Sequence, residues 1–171
     1  YKSPFYKFGD IMFLPKIAND DWKSYIASRF RDTGKNISPE VAGYIAQLVD
    51  NHPYYVQQLA QLSWLRCEKD CCAETVDGAL ESLLDSLNLQ FINIMDSLTE
   101  KQRNFLCALS DGVSQLTSEK TLSTYRLGTN GNVRIIRNAL LKRDIVDMEG
   151  RTVYIQDPVF KLWIVRQYSI L

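Results

Sequence analysis

Apolar residues recur along this chain at spacings of three and four, and the recurrence stops wherever Ser, Thr, Asn, Asp, Gly or Pro cluster. Trp22, Tyr25, Ile26 and Phe30 share one helical face behind the cap cluster Asn19-Asp20-Asp21, and Gly34 closes that helix. Ser38-Pro39-Glu40 opens a second helix with a stripe of Val41, Tyr44, Ile45 and Leu48, stopped by Asp50-Asn51. His52-Pro53 opens a third, predicted to run to Lys69 with Val56, Leu59, Ala60, Ser63 and Trp64 inward. A fourth begins near Ala73 with Val76, Leu80, Leu83, Leu84 and Leu87, and continues after a break through Phe91, Ile92 and Met95.

From Ser97 the rhythm changes. Leu98-Thr99-Glu100-Lys101-Gln102 caps a helix that stops at Asp111-Gly112, and Thr117-Ser118-Glu119 starts a short one to Tyr125. Thr129-Asn130-Gly131-Asn132 caps a third, from Val133 to Lys142. Two alternating runs, 144–148 and 151–155, flank Glu149-Gly150 as a hairpin, and Asp157-Pro158 opens a last helix. Helix, helix, turn, helix, hairpin is the order of a winged helix-turn-helix. The fold class expected is therefore mainly α. A helical unit at 19–96 precedes a winged helix at 97–171, and residues 1–18 form a loop and a short strand, Asp10-Ile11-Met12-Phe13-Leu14. That strand has no partner nearby and the chain begins with Tyr1 rather than Met, so we expect a piece of a longer protein.

Composition adds two points. No stretch approaches the ~20 apolar residues that cross a bilayer, and no signal peptide precedes the first helix, so a cytoplasmic protein without a membrane partner is expected. The net charge of zero hides opposite halves. Residues 1–96 hold nine Lys/Arg against thirteen Asp/Glu, and residues 97–171 hold eleven against seven. A basic second half suits DNA or an acidic protein surface.

The chemistry is sparse. There is no phosphate-loop glycine motif, no dinucleotide fingerprint and no nucleophile elbow, and His52 is the single histidine. No catalytic residue is assigned, and no catalysis is expected of this piece. Cys67, Cys71 and Cys72 lie close, with Cys67 and Cys71 at i, i+4 on the expected helix, yet no second ligand pair completes a metal site. On the helix from Val133, Arg134, Arg137 and Asn138 form a polar face that fits guanine and adenine edges. Lys142 and Arg143 are candidates for phosphates and Arg151 for a wing contact. The same arginines equally suit a solvated face or a protein partner.

Three segments carry a family resemblance. His52-Pro53-Tyr54-Tyr55-Val56-Gln57-Gln58-Leu59-Ala60 resembles a segment of archaeal-type and bacterial P-loop ATPases of the AAA+/STAND kind. Ser3-Pro4-Phe5-Tyr6-Lys7-Phe8-Gly9-Asp10 resembles the stretch after their nucleotide-binding core, and Tyr154-Ile155-Gln156-Asp157-Pro158 with Phe160 and Trp163 resembles their ending. The resemblance implies a lid subdomain followed by a winged helix, the C-terminal part of an ATPase. Its Walker motifs and its ATP or ADP with Mg²⁺ would belong to an upstream domain, the lid's partner in the same chain. It places His52 and Pro53 near the nucleotide, then Tyr54 and Gln57. Many relatives carry a phosphate-sensing arginine in or just after the Pro4-Phe5-Tyr6 segment; here Lys2 and Lys7 are the cations available, and a lysine offers a point charge rather than a fork. The alternative is a DNA-binding winged-helix regulator whose helical half dimerises or senses a ligand.

Overall fold

A computed structural model describes residues 17–168. The elements expected from residue 17 onward can be compared with it, whereas the expected strand at 10–14 and the candidate Lys7 lie outside the described residues. Eight helices and two short two-stranded sheets make up the described chain: α1 (Asn19–Asp32), β1 (Asn36–Ile37), α2 (Pro39–Leu48), α3 (Pro53–Arg66), β2 (Asp70–Cys71) and α4 (Ala73–Asp96) form the first half. The second half comprises α5 (Glu100–Ser110), α6 (Glu119–Thr124), α7 (Asn130–Leu141), β3 (Val146–Glu149), β4 (Thr152–Ile155) and α8 (Pro158–Tyr168).

Most start signals act as their chemistry dictates. The hydroxyls of Ser38, Ser118 and Thr129 accept from the backbone N–H three residues on, and Thr99 with Gln102 closes a reciprocal capping box. The Asn19-Asp20-Asp21 cluster does not cap α1. The cap is Ala18, with no side-chain bond, because Asn19 turns its amide to the Gly43 carbonyl at 3.0 Å and Asp20 pairs with Lys23. Asp50 and Asn51 both take positive φ, +50° and +56°, which ends α2 and turns the chain into His52.

Two expectations about extent were wrong. Helix α3 stops at Arg66, not Lys69, and Cys67 caps it. Lys35 explains the stop, since its Nζ donates to the carbonyls of Trp64 and Cys67, both at 2.6 Å. Helix α4 has no break; it runs 24 residues. Its continuity follows from a second buried stripe, Phe91 and Met95, which succeeds Val76, Ala79, Leu83 and Leu84 as the helix passes from one half of the chain to the other.

One element was not foreseen. β1 and β2 pair in parallel, Asn36 with Asp70 and Ile37 with Cys71. This places Cys71 on a strand and Cys67 at a helix end, which corrects the expectation that both lie on one helix. Cys67, Cys71 and Cys107 are buried and Cys72 is exposed, all as free thiols. The hairpin β3–β4 turns on Gly150 at φ +61°, with Val146 opposite Ile155, and β3 begins two residues later than the alternation suggests.

A single buried cluster runs through both halves, from Trp22 to Ile164. Its centre at the junction is aromatic. The Phe91 ring lies 5.0 Å from Phe160 and 5.7 Å from Trp163, and the Trp163 indole N–H donates to Asn88 at 2.8 Å. Arg166 of α8 reaches Glu81 and Asp85 of α4, at 2.8 and 2.9 Å. The last helix is thus fastened along the fourth.

Candidate functional site

The start of α3 and the start of α8 meet, although 102 residues separate the bonded pair. The Tyr55 hydroxyl donates to Asp157 Oδ2 at 2.6 Å. Asp157 Oδ1 accepts from the N–H groups of Val159 and Phe160, both at 2.9 Å, and so caps α8. One carboxylate therefore ties the helical unit to the winged helix. Burial, then the Asp157 carboxylate, pushes the Tyr55 hydroxyl well above its ordinary value.

A cleft of about 300 Å³ opens at this meeting point, lined by His52, Tyr54, Tyr55, Asp144, Gln156 and Asp157. Two of the three segments that carry the family resemblance thus line one cavity. The His52 ring lies 5.0 Å from Tyr55, and Tyr55 meets Tyr54 edge-on at 5.2 Å. His52 Nδ1 is buried without a hydrogen-bond partner, and the His52 side chain makes no bond to the start of α3. Pro53 has no N–H, so the first free amides of α3 belong to the tyrosines. Tyr54 is exposed, its hydroxyl accepting from Gln58 Nε2 at 2.8 Å, and Gln57 is exposed beside Pro53. Asp144, at φ +53°, and Asp157 are acidic, and no Lys or Arg among the described residues lines the cleft. Such a lining disfavours a phosphate and accommodates groups that donate hydrogen bonds or stack.

The sequence missed Tyr55 and Asp157 as a pair. Tyr55 counted only as part of one motif and Asp157 as part of another and as a helix opener, and no local pattern reports a contact across 102 positions.

The candidate nucleic-acid residues lie elsewhere, on the winged helix. Arg134, Asn138 and Lys142, at i, i+4 and i+8, are exposed along α7 and its cap, whereas Arg137 is half-buried with its Nε unpartnered. Ile135 stands 68% exposed among them. Arg143 is not free for phosphate: it donates to the Ser97 carbonyl at 3.2 Å and to Ser97 Oγ at 2.6 Å. Arg151 is exposed at the hairpin next to Glu149, and Asp147 on the same hairpin holds the Tyr154 hydroxyl at 3.1 Å. Among the described residues no three of His, Cys, Asp or Glu are grouped to hold a metal, and no helix is long and apolar enough to cross a membrane.

Helix, turn, helix and hairpin in this arrangement make the second half a winged helix, and residues 89–166, just under half of the chain, match the family described as a probable winged helix domain. In three dimensions the chain is similar to the Walker-type ATPase Paby2304 of Pyrococcus abyssi, with a TM-score of 0.69 at 16% identity. The match covers 87% of this chain and 42% of that one. At that identity the likeness is one of fold, and it takes in the helical unit together with the winged helix. This chain spans less than half the length of that ATPase. No curated protein matches it in sequence.

Proposed function

We propose that this chain is the C-terminal regulatory part of a P-loop ATPase of the STAND kind, and that its helical unit is a lid which closes on a nucleotide held by an upstream domain. The observation that carries the reading is the shared cleft. The helix start that the family resemblance places near the nucleotide is hydrogen-bonded, through Tyr55, to the cap of the winged helix's last helix. The likeness to the Pyrococcus ATPase supports it, because both units recur there in one chain. His52, Pro53, Tyr54 and Gln57 would face the nucleotide. The orphaned His52 Nδ1 and the uncapped start of α3 fit a ligand offering both donor and acceptor atoms, such as a nucleoside. With two carboxylates in the cleft, the phosphates and Mg²⁺ belong to the upstream domain, which supplies the hydrolytic chemistry. Within this chain Tyr55 and Asp157 hold the lid and winged helix in one relative position, and displacement of the α3 start moves α8.

The residues encoded before Tyr1 give the first test, since a gene without a Walker A loop there ends this reading. In the longer protein, His52→Ala is expected to weaken ADP binding about tenfold, roughly the worth of one hydrogen bond to a buried group. Unchanged affinity by calorimetry would reduce the segment to helix packing. The 171-residue chain alone is expected to show no ATP turnover.

A second reading gives the winged helix to DNA, and the exposed Arg134, Asn138 and Lys142 favour it. There Arg134→Ala with Arg137→Ala should weaken binding to duplex DNA and flatten its salt dependence. A hairpin with Asp147 and Glu149 beside Arg151 offers phosphates little.

A further inference from the structure

The two halves of the chain present exposed helix faces whose charge and apolar positions are complementary. On α4, Glu74, Asp77, Glu81 and Asp85 are exposed acids on one side of the helix, and the same side continues into Leu89, 70% exposed, and Ile92, 36% exposed. Arg166 neutralises part of this charge at Glu81 and Asp85, and Asp77 accepts from Tyr44 at 2.7 Å, but no basic side chain of the described residues is bonded to Asp77 or Glu74. Beyond Ile92 the C-terminal end of α4 turns basic, where Arg103 donates to the Met95 and Leu98 carbonyls and Arg143 to Ser97.

On α7, Arg134, Ile135, Asn138 and Lys142 are exposed on one side, and none is in an ion pair with an acid of the described residues. Ile135 to Lys142 is seven residues, about 10.5 Å along a helix axis. Ile92 back to Asp85 is also seven. Antiparallel contact would set Ile135 on Leu89 and Ile92 and bring Lys142 to the Asp85 end. Their helix dipoles would then run in opposing directions, the favourable sense.

We propose that α7 of one copy of this chain docks on α4 of a second copy, with Ile135 seated on Leu89 and Ile92 and Lys142 facing Asp85 and Glu81. The second copy is favoured as the occupant because the basic and apolar positions of its α7 complement the acidic and apolar positions of α4. The opposite charges of the two halves steer such a contact, and the zero net charge of the chain removes any long-range repulsion between copies. The exposed Ile135 in the middle of the α7 face argues for a protein surface over a phosphate backbone. Made reciprocally the contact closes a pair; made head to tail it propagates.

Sedimentation velocity on the chain tests this. Self-association is expected, weakening at least about tenfold as salt is raised from ~50 mM to ~500 mM, because exposed pairs are screened. Ile135→Glu with Lys142→Glu should give a monomer, and so should Leu89→Lys with Ile92→Lys. All four positions are exposed, and unchanged circular dichroism checks each fold. Mixing the two double variants should restore an assembly, since each then presents the charge the other lacks. A wild-type chain that stays monomeric at low salt overturns the proposal, as does association that survives both double variants or a mixture that stays monomeric. A monomeric chain that shifts a ~20 bp duplex, and loses the shift with Ile135→Glu and Lys142→Glu, assigns the α7 face to nucleic acid instead.

Discussion

Lys35 closes the third helix with one side chain. Besides its two carbonyl bonds, the ammonium sits 4.1 Å from the centroid of the Trp64 ring, whose N–H donates to Thr33 Oγ1 at 2.9 Å. A cation at a helix C-terminus, bonded to carbonyls that have no intrahelical donor, combines dipole, hydrogen-bond and ring attraction. Lys35→Met keeps the stem and removes the charge, and is expected to lower stability by about 1–2 kcal/mol in urea titration. An unchanged midpoint would mean that water caps α3 equally well. A second residue-scale effect is set by pH. Burial and then the hydrogen bond to Asp111, at 2.7 Å, push the Tyr125 hydroxyl up to about 12 from its ordinary value of 10. The folded form keeps this proton while the unfolded chain gives it up. The contribution is therefore complete below pH 10 and is lost as pH rises from 10 through 12. Tyr55, raised by burial and Asp157, adds in the same sense. Tyr125→Phe should make the alkaline fall in stability shallower; a fall as steep as in the wild type would assign it to other groups.

Elements were legible where their signals are local. A Ser, Thr or Asp cap, a first-turn proline and a positive-φ stop act within four residues, so the starts of α2, α5, α6 and α8 could be read from the sequence, whereas α7, capped by Thr129, begins at Asn130 rather than at the expected Val133. The β1–β2 pair could not, because it is two residues long on each side and joins positions 34 apart. Helix α4 was misread for a similar reason. Its polar Asn88 resembles an interruption, yet its side chain faces inward to take the Trp163 N–H across 75 residues. The same distance hid the candidate site: each of its two segments was visible, and the Tyr55–Asp157 bond that unites them was not. Continuity of α4 makes a prediction at this scale. Phe91 is fully buried between Phe160 and Trp163, so Phe91→Ala should cost about 3–5 kcal/mol, the range for a large aromatic removed from a packed core. A cost under about 1 kcal/mol, within the scatter of surface substitutions, would show that α8 does not depend on α4.

At the scale of the whole molecule the question is whether the helical unit and the winged helix behave as two bodies or one. Helix α4 contributes Val76 and Leu83 to the first half's core and Phe91 and Met95 to the second's. The junction is fastened at both ends, by Tyr55–Asp157 at the start of α8 and by Arg166 with Glu81 and Asp85 towards its end. The proposed relay, in which the winged helix moves with the helical unit, needs this stiffness, because two loosely joined bodies would dissipate any displacement of the α3 start in their linker. The three tryptophans allow a direct check: Trp22 and Trp64 lie in the helical unit, and Trp163 in the winged helix. A variant with Trp163→Phe reports the first unit, and one with Trp22→Phe and Trp64→Phe reports the second. In urea, each variant's fluorescence and far-ultraviolet transitions should coincide at one midpoint, the mark of a single cooperative unit. Shifts caused by the substitutions themselves move both signals of a variant together and leave that coincidence intact. A Trp163 signal that departs before the bulk of the helix is lost would separate the two bodies and remove the physical basis for coupling between them.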